Sequence, residues 1–184
     1  MNPQPTAERA PASPPPLALE SVYRAEVGYV WNSLRRLGAP ERELPDLTQN
    51  VFLAVHRQLH AYDARRPLRL WLFGIAFRVL SNFRRGTHQQ REVLEEPPEP
   101  RDERPSAEEQ LDAQQKRKLV VQALAQLEPE RRAVLVMHDL DGHTMPDIAE
   151  ELGVGLNTLY SRLRLARADF LAAATRIRRT RGEP

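Results

Sequence analysis

GHTMPDIAEELGVGLNTLYSRLRLAR, residues Gly142 to Arg167, reads as two short helices around a glycine. Thr144 followed three residues later by Asp147 resembles a capping box, with Asp standing where Glu or Gln is commoner. Ile148, Ala149 and Leu152 form one apolar face, and Gly153 supplies a tight turn. A second helix begins near Leu156, with Leu156, Leu159, Leu163 and Ala166 facing inward at helical spacing. Its other face carries Asn157, Thr158, Tyr160, Ser161, Arg162, Arg164 and Arg167. This is the helix-turn-helix pattern, whose second helix enters a DNA major groove. Thr, Asn, Ser and Arg reach base edges there, while further arginines, Arg167 among them, hold phosphates. The same pattern also describes an ordinary helical hairpin with solvated charges, so the rest of the chain has to arbitrate.

Upstream, the periodicity is helical throughout, with no alternating run and no hairpin turn. Tyr23, Val27, Val30, Trp31, Leu34 and Leu37 form the stripe of a first helix, Leu19 to Leu37, closed by Gly38 and Pro40. A second helix, Leu44 to Leu59, buries Leu47, Val51, Phe52, Val55 and Leu59 and exposes Asp46, Gln49, Asn50, Arg57 and Gln58. After the loop HAYDARRP, a third helix runs from Leu68 to Arg85 with Trp71, Leu72, Ile75, Ala76, Val79 and Phe83 apolar, and Gly86 ends it. A fourth, Ala107 to Leu127, presents Leu111, Leu119, Val120, Ala123, Leu124 and Leu127. Pro129 restarts a fifth, which runs to Leu140 and buries Ala133, Val134, Val136 and Met137.

The expected class is therefore all-α, with two small helical domains at 19–91 and 111–181. A Pro-rich disordered tail (1–18) precedes them and a flexible acidic linker (92–110) joins them. Charge follows the same division. Residues 20–91 hold 12 Lys or Arg against 6 Asp or Glu, residues 92–115 hold 2 against 9, and residues 116–184 hold 12 against 9. Two basic modules flanking an acidic tether suit nucleic-acid binding. The chain has no cysteine, which rules out disulfides, thiolate metal sites and cysteine nucleophiles. His56 and His60 share a helix face, but no third ligand lies nearby, so neither a metal nor another cofactor is expected. No Gly-rich phosphate loop or nucleophile elbow points to an enzyme. Lacking a signal peptide and an apolar run of membrane-spanning length, the chain is expected to be cytoplasmic, with no membrane insertion.

DLTQNVFLAVHRQLHAY (Asp46–Tyr62) and LRLWLFGIAFRVLSNFRR (Leu68–Arg85) together resemble the second conserved region of bacterial RNA polymerase sigma factors. LAQLEPERRAVLVMHDLDGHTMPDIAEELGVGLNTLYSRLRLAR resembles the fourth. Both regions in this order, with only a short linker between them, resemble the extracytoplasmic-function subfamily.

The resemblance implies core RNA polymerase (its β′ clamp and β flap), promoter DNA and an anti-sigma factor as partners. It places Asp46, Gln49 and Asn50 on the polymerase, with Val51 and Phe52 at their apolar edge. Asn50 stands where the family more often has an acidic residue. Tyr62, Arg69, Trp71, Phe77, Arg78, Asn82, Arg84 and Arg85 become candidates for the minus-ten strand, although Trp71 also has the spacing of a core residue. Asn157, Thr158, Tyr160, Ser161, Arg162, Arg164 and Arg167 become candidates for the minus-thirty-five duplex. Two other readings stay open: a stand-alone helix-turn-helix regulator and a protein-binding module.

Overall fold

Burying the stripe of the first helix takes two partners, and the computed structural model, which describes residues 18–90 and 108–181, supplies them. Side chains are described over 18–87 and 115–180, so the expectations for the Pro-rich tail, most of the acidic linker and the packing of Leu111 lie outside the described residues. Helix α1 (Leu19–Arg36) carries Glu20 in its first turn and Arg35 and Arg36 in its last, matching the helix dipole at both ends. Its Val22, Val30 and Leu34 are buried against α2 (Leu44–Gln58) and α3 (Leu68–Gln90). Tyr23, expected in the apolar stripe, is 47% exposed and meets Phe52 edge-on, with ring centroids 4.7 Å apart.

Helix α2 begins with Pro45 in its first turn, where a missing N–H costs nothing, and buries Leu44, Leu47, Val51 and Val55. A 3₁₀ turn, Leu59–Ala61, extends it into the loop. Helix α3 is the axis of this half. Leu70, Trp71, Leu72, Phe73, Gly74, Ile75 and Ala76 are buried in succession, as they can be only if neighbours cover the helix on all sides. The helix runs past Gly86 to Gln90 rather than ending there. A Cβ at Gly86 would meet nothing, and one interior glycine costs about 1 kcal/mol, too little to end a helix already held by its packing.

In the second half, α4 (Glu108–Ala125) and α5 (Pro129–Leu135) pack on α7 (Leu156–Arg181), with α6 (Met145–Leu152) across it. The fifth helix stops being α-helical at Leu135 and widens into a π turn, Val136–Leu140, closed by Asp141 N–H donating to Val136 O at 2.9 Å. Thr144 caps α6 as expected, its Oγ1 accepting from Asp147 N–H at 3.3 Å while its hydroxyl donates to the Asp147 carboxylate at 2.7 Å. Gly153, at φ 63°, ends α6 in the left-handed conformation that the turn requires. Leu159, Leu163 and Ala166 are buried, but Leu156 is 42% exposed because it is the first residue of α7, beyond the packed face. Among the described residues there is no strand.

The two halves share one continuous apolar core. They are also tied at the end of α1, where Gly38 (φ 81°) turns the chain and Ala39 N–H donates to Leu34 O at 2.9 Å. Arg132 of α5, 5% exposed, donates to Leu37 O at 2.6 Å, to Ala125 O at 2.6 Å and to Leu127 O at 2.8 Å. Arg84 of α3 donates to Leu37 O at 2.7 Å and Gly38 O at 3.0 Å. Burial, aided by the like charge of Arg84 and opposed by Glu128, pulls the Arg132 guanidinium down to about 10, so it stays charged at neutral pH. A Cβ on residue 38 would fall 2.0 Å from Arg132 Nη1, so the glycine is needed for room as well as for its φ.

Replacing Arg132 by alanine leaves Leu37 O to Arg84 alone and removes the charged donor from Ala125 O and the buried Leu127 O. A loss of about 3 kcal/mol is expected in urea-unfolding free energy. A loss below about 1 kcal/mol would show that these carbonyls find other partners and that the junction is incidental.

Candidate nucleic-acid interface

Three surfaces hold the residues that the sequence singles out. The first is the outer face of α7. The turn at Gly153 projects this helix away from α6, and Asn157, Thr158, Tyr160 (55% exposed), Ser161 and Arg164 stand in solvent side by side. Arg162 is half-buried. Arg167 is exposed but engaged, its guanidinium donating twice to the Asp139 carboxylate at 2.7 and 2.8 Å. That pairing holds the Asp139 carboxyl below the usual carboxylate range. A short row of amide, hydroxyl and phenol groups with an adjacent cation is suited to base edges and phosphates in a major groove.

The second surface is α3 with the loop before it. The loop is ordered by its own side chains. Tyr62 donates through its hydroxyl to Arg66 O at 2.5 Å and lays its ring against Trp71, with centroids 4.8 Å apart. Asp63 accepts from Arg65 N–H and from its guanidinium, bonds that hold the exposed Asp63 carboxyl at about 2. Trp71 is 8% exposed and so supports this loop from the core; it presents no free face for a base to stack on. Phe77 is half-buried in the packing. Arg69 pairs with Glu26 at 2.9 Å and lies over the Tyr29 ring, 5.2 Å from its centroid. Asn82 and Arg85 are exposed and bonded to each other.

Arg84 faces the other way, into the junction at Leu37 and Gly38, where burial lowers its pKa. In the present arrangement it supports the fold and cannot reach a strand. Arg78 is exposed on one side but carries Glu151 of α6 on the other, at 3.1 Å.

The third surface is the outer face of α2. Asp46, Gln49 and Asn50 are exposed along it, and Phe52 (6% exposed) borders them. Val51 is fully buried and contributes only to the core. Tyr23, Val27, Trp31, Gln49, Phe52 and Leu53 line an open apolar groove of about 580 Å³ between α1 and α2. Exposed carboxamides and a carboxylate beside an apolar trough suit a helical protein partner.

Sequence reasoning passed over the groups that connect these surfaces: Arg36, Arg132, Asp141 and Glu151. Asp141, in the chain leaving the π turn, accepts from Arg36 at 2.6 Å and from the Tyr29 hydroxyl at 2.7 Å. Burial first, then the Asp141 charge, pushes the Tyr29 phenol above its ordinary range. A signal was available for two of them: Glu151 lies three residues after Ile148, on the apolar face of α6, and Arg132 sits inside an apolar run.

Residues 22–90 match the family model for sigma-70 region 2, and residues 117–170 match that for sigma-70 region 4. The RNA polymerase sigma factor CnrH of Cupriavidus metallidurans is 31% identical over 146 residues, spanning 75% of this chain and 76% of that protein. The ECF RNA polymerase sigma factor SigL of Mycobacterium tuberculosis is 28% identical over 149 residues, spanning 80% and 84%. Two solved structures share the fold. The first, CnrH in complex with the cytosolic domain of CnrY, aligns at TM-score 0.58 and 23% identity over 84% of this chain and 85% of that one. The second, the sigma factor RpoE of Bartonella quintana in complex with the anti-sigma factor NepR, aligns at TM-score 0.67 and 19% identity over 85% and 96%.

The opposite orientations of Arg84 and Arg85 can be separated by experiment. Arg84→Ala should lower unfolding free energy by about 1–3 kcal/mol, since it removes a charged donor from two carbonyls. Arg85→Ala should leave the thermal midpoint in place and reduce the salt dependence of single-strand binding by roughly one ion. The reverse pattern would place Arg84 on the nucleic acid.

Proposed function

The chain belongs to the RNA polymerase sigma factors, in the extracytoplasmic-function branch, and from that premise we propose how its surfaces divide the work. As a sigma factor it binds core RNA polymerase and directs transcription initiation at promoters. In the proposed division, residues 19–91 form the module that grips polymerase and the minus-ten strand, and residues 111–181 form the module that reads the minus-thirty-five duplex. The single observation that supports this most directly is the outer face of α7, where base-reading side chains stand exposed on the second helix of a helix-turn-helix.

Asn157, Thr158, Tyr160, Ser161, Arg162 and Arg164 are assigned to that duplex, with Arg167 toward phosphate once it leaves Asp139. Asp46, Gln49, Asn50 and the Phe52 edge are assigned to polymerase, where a helix of the partner fits the adjoining groove. Tyr62, Arg69, Arg78, Asn82 and Arg85 are assigned to the opened minus-ten strand, with the Tyr62–Trp71 contact holding the loop against the helix that carries the other four. A strand-binding surface needs cations along the backbone and planar groups for bases, and this one offers both. The chain itself performs no chemistry in this reading; the polymerase does. It acts in the cytoplasm, and an anti-sigma factor is a fitting regulator, since the Bartonella sigma factor was solved with the anti-sigma factor NepR.

Run-off transcription with bacterial core polymerase on a genomic fragment library tests the whole reading. New transcripts sharing an upstream pair of motifs are expected when the protein is present. Tight unaided binding to a duplex site without new transcripts would favour a stand-alone regulator. Within the reading, Arg162→Ala should weaken promoter binding, by about 1–3 kcal/mol if it contacts a base, without loosening the polymerase complex. Asp46→Ala should do the opposite. Equal effects of both variants on polymerase affinity would refute the division.

A further inference from the structure

The contact of α6 with α3 and the loop before it centres on the buried carboxylate of Glu151, with the exposed Glu150 at 3.6 Å from Arg66 beside it. Glu151, with 3% of its side chain exposed, reaches down from the first helix of the helix-turn-helix onto α3. Arg66 Nη2 meets its Oε2 at 2.9 Å and Arg78 Nη1 meets its Oε1 at 3.1 Å. The floor beneath it is Gly74, where a Cβ would fall 2.0 Å from Oε1, 2.7 Å from Cδ and 2.9 Å from Cγ. Two guanidiniums over a glycine floor make a notch shaped for an oxyanion, and a carboxylate and a phosphate present similar oxygens to it. The notch lies on the face of α3, and beside the loop, that the proposed function assigns to the promoter strand.

We propose that Glu151 is an internal stand-in for a DNA phosphate: it fills the Arg66–Arg78–Gly74 notch and keeps single-stranded DNA off α3 until the two halves part. The proposal rests on the assignment of α3 to the minus-ten strand. Asp141 acts alongside Glu151, fastening the same half to Arg36 and Tyr29 of α1. Closure is selective. The outer face of α7 and the residues Asp46, Gln49 and Asn50 remain exposed in this arrangement, and on α3 the cover is confined to the notch, leaving Asn82 and Arg85 in solvent. The latch is also not a deep trap. Burial raises the Glu151 carboxyl despite both arginines, which means that desolvation opposes the ion pair and leaves it displaceable. A polyanion that offers several phosphates at once meets Arg66 and Arg78, which keep 30% and 48% of their side-chain exposure.

The full chain lacks cysteine, so a donor–acceptor pair on Ala25→Cys and Thr175→Cys reports the separation of the halves. Anisotropy with a short labelled oligothymidylate reports access to α3 in the absence of polymerase. Three variants attack the latch from different sides. Gly74→Ala crowds the notch without changing charge, Glu151→Ala empties it, and Asp141→Ala with Glu151→Ala removes both fastenings. Transfer efficiency should fall in each, most in the double variant, while oligothymidylate affinity rises. If the closed form holds nine-tenths of the molecules, the limit is about tenfold. Arg78→Ala added to the double variant should take most of that gain away.

Unchanged transfer and unchanged affinity in the double variant would overturn the proposal. So would a fall in transfer with no gain in affinity, because Glu151 would then fasten the halves without excluding DNA. The underlying assignment has its own readout: holoenzyme carrying Arg78→Ala should lose promoter opening, measured by permanganate reactivity of thymines. Normal opening would refute the strand-binding role of Arg78 even where the fluorescence shows a latch.

Discussion

The carbonyl of Leu37 is where the architecture is joined. Helix α1 must end there, its last carbonyls lose their intrahelical partners, and the surrounding core admits little water. Arg84 from α3 and Arg132 from α5 both donate to that oxygen, and Gly38 leaves the space in which the second guanidinium sits. One helix end thus fixes the third helix of its own bundle and α5 of the other half. Two like charges close together in a poorly hydrated place are costly, which shows in the lowered pKa of Arg132. They are held because, besides the Leu37 oxygen they share, Arg84 satisfies Gly38 O and Arg132 satisfies Ala125 O and Leu127 O.

From this junction the remaining polar ties fan out along the seam: Asp141 to Arg36 and Tyr29, Glu151 to Arg66 and Arg78. The acidic partners in both ties come from the helix-turn-helix half and the basic ones from the other. The seam therefore resembles a protein–DNA contact in its charge, with carboxylates where phosphates would lie. Apolar packing between the halves is shared with this polar seam, and ion pairs of this kind give register more readily than they give net stability. A contact with such properties suits two modules that have to come together in one setting and separate in another.

Much of this was legible beforehand. The helical stripes gave the seven α-helices found among the described residues, and the capping pair Thr144–Asp147 and the turn at Gly153 appear where the residue types placed them. The misjudged details have a common cause. Gly86 failed to end α3 because tertiary packing outweighs one unfavourable residue, and Leu156 and Tyr23 are exposed because periodicity marks a face without saying how far a neighbour extends over it. Trp71 was open to two readings, core or stacking platform, and burial decides for the core. Among the arginines of α3, spacing could not tell Arg84, which turns inward to a helix end, from Arg85, which turns out.

What the sequence determined by itself is local and periodic: an all-α class, the helix-turn-helix with its polar outer face, the basic modules and the acidic connector, and the resemblance those motifs carry. These follow from propensity, capping chemistry and apolar spacing, all of which act within a few turns of the chain. What only the tertiary structure decided is which charges meet. Arg132 joins Leu37 across 95 positions of sequence, and Arg66 joins Glu151 across 85. No local rule selects such pairs, because the desolvation and Coulomb energies that favour them exist only once the two halves have excluded water between them.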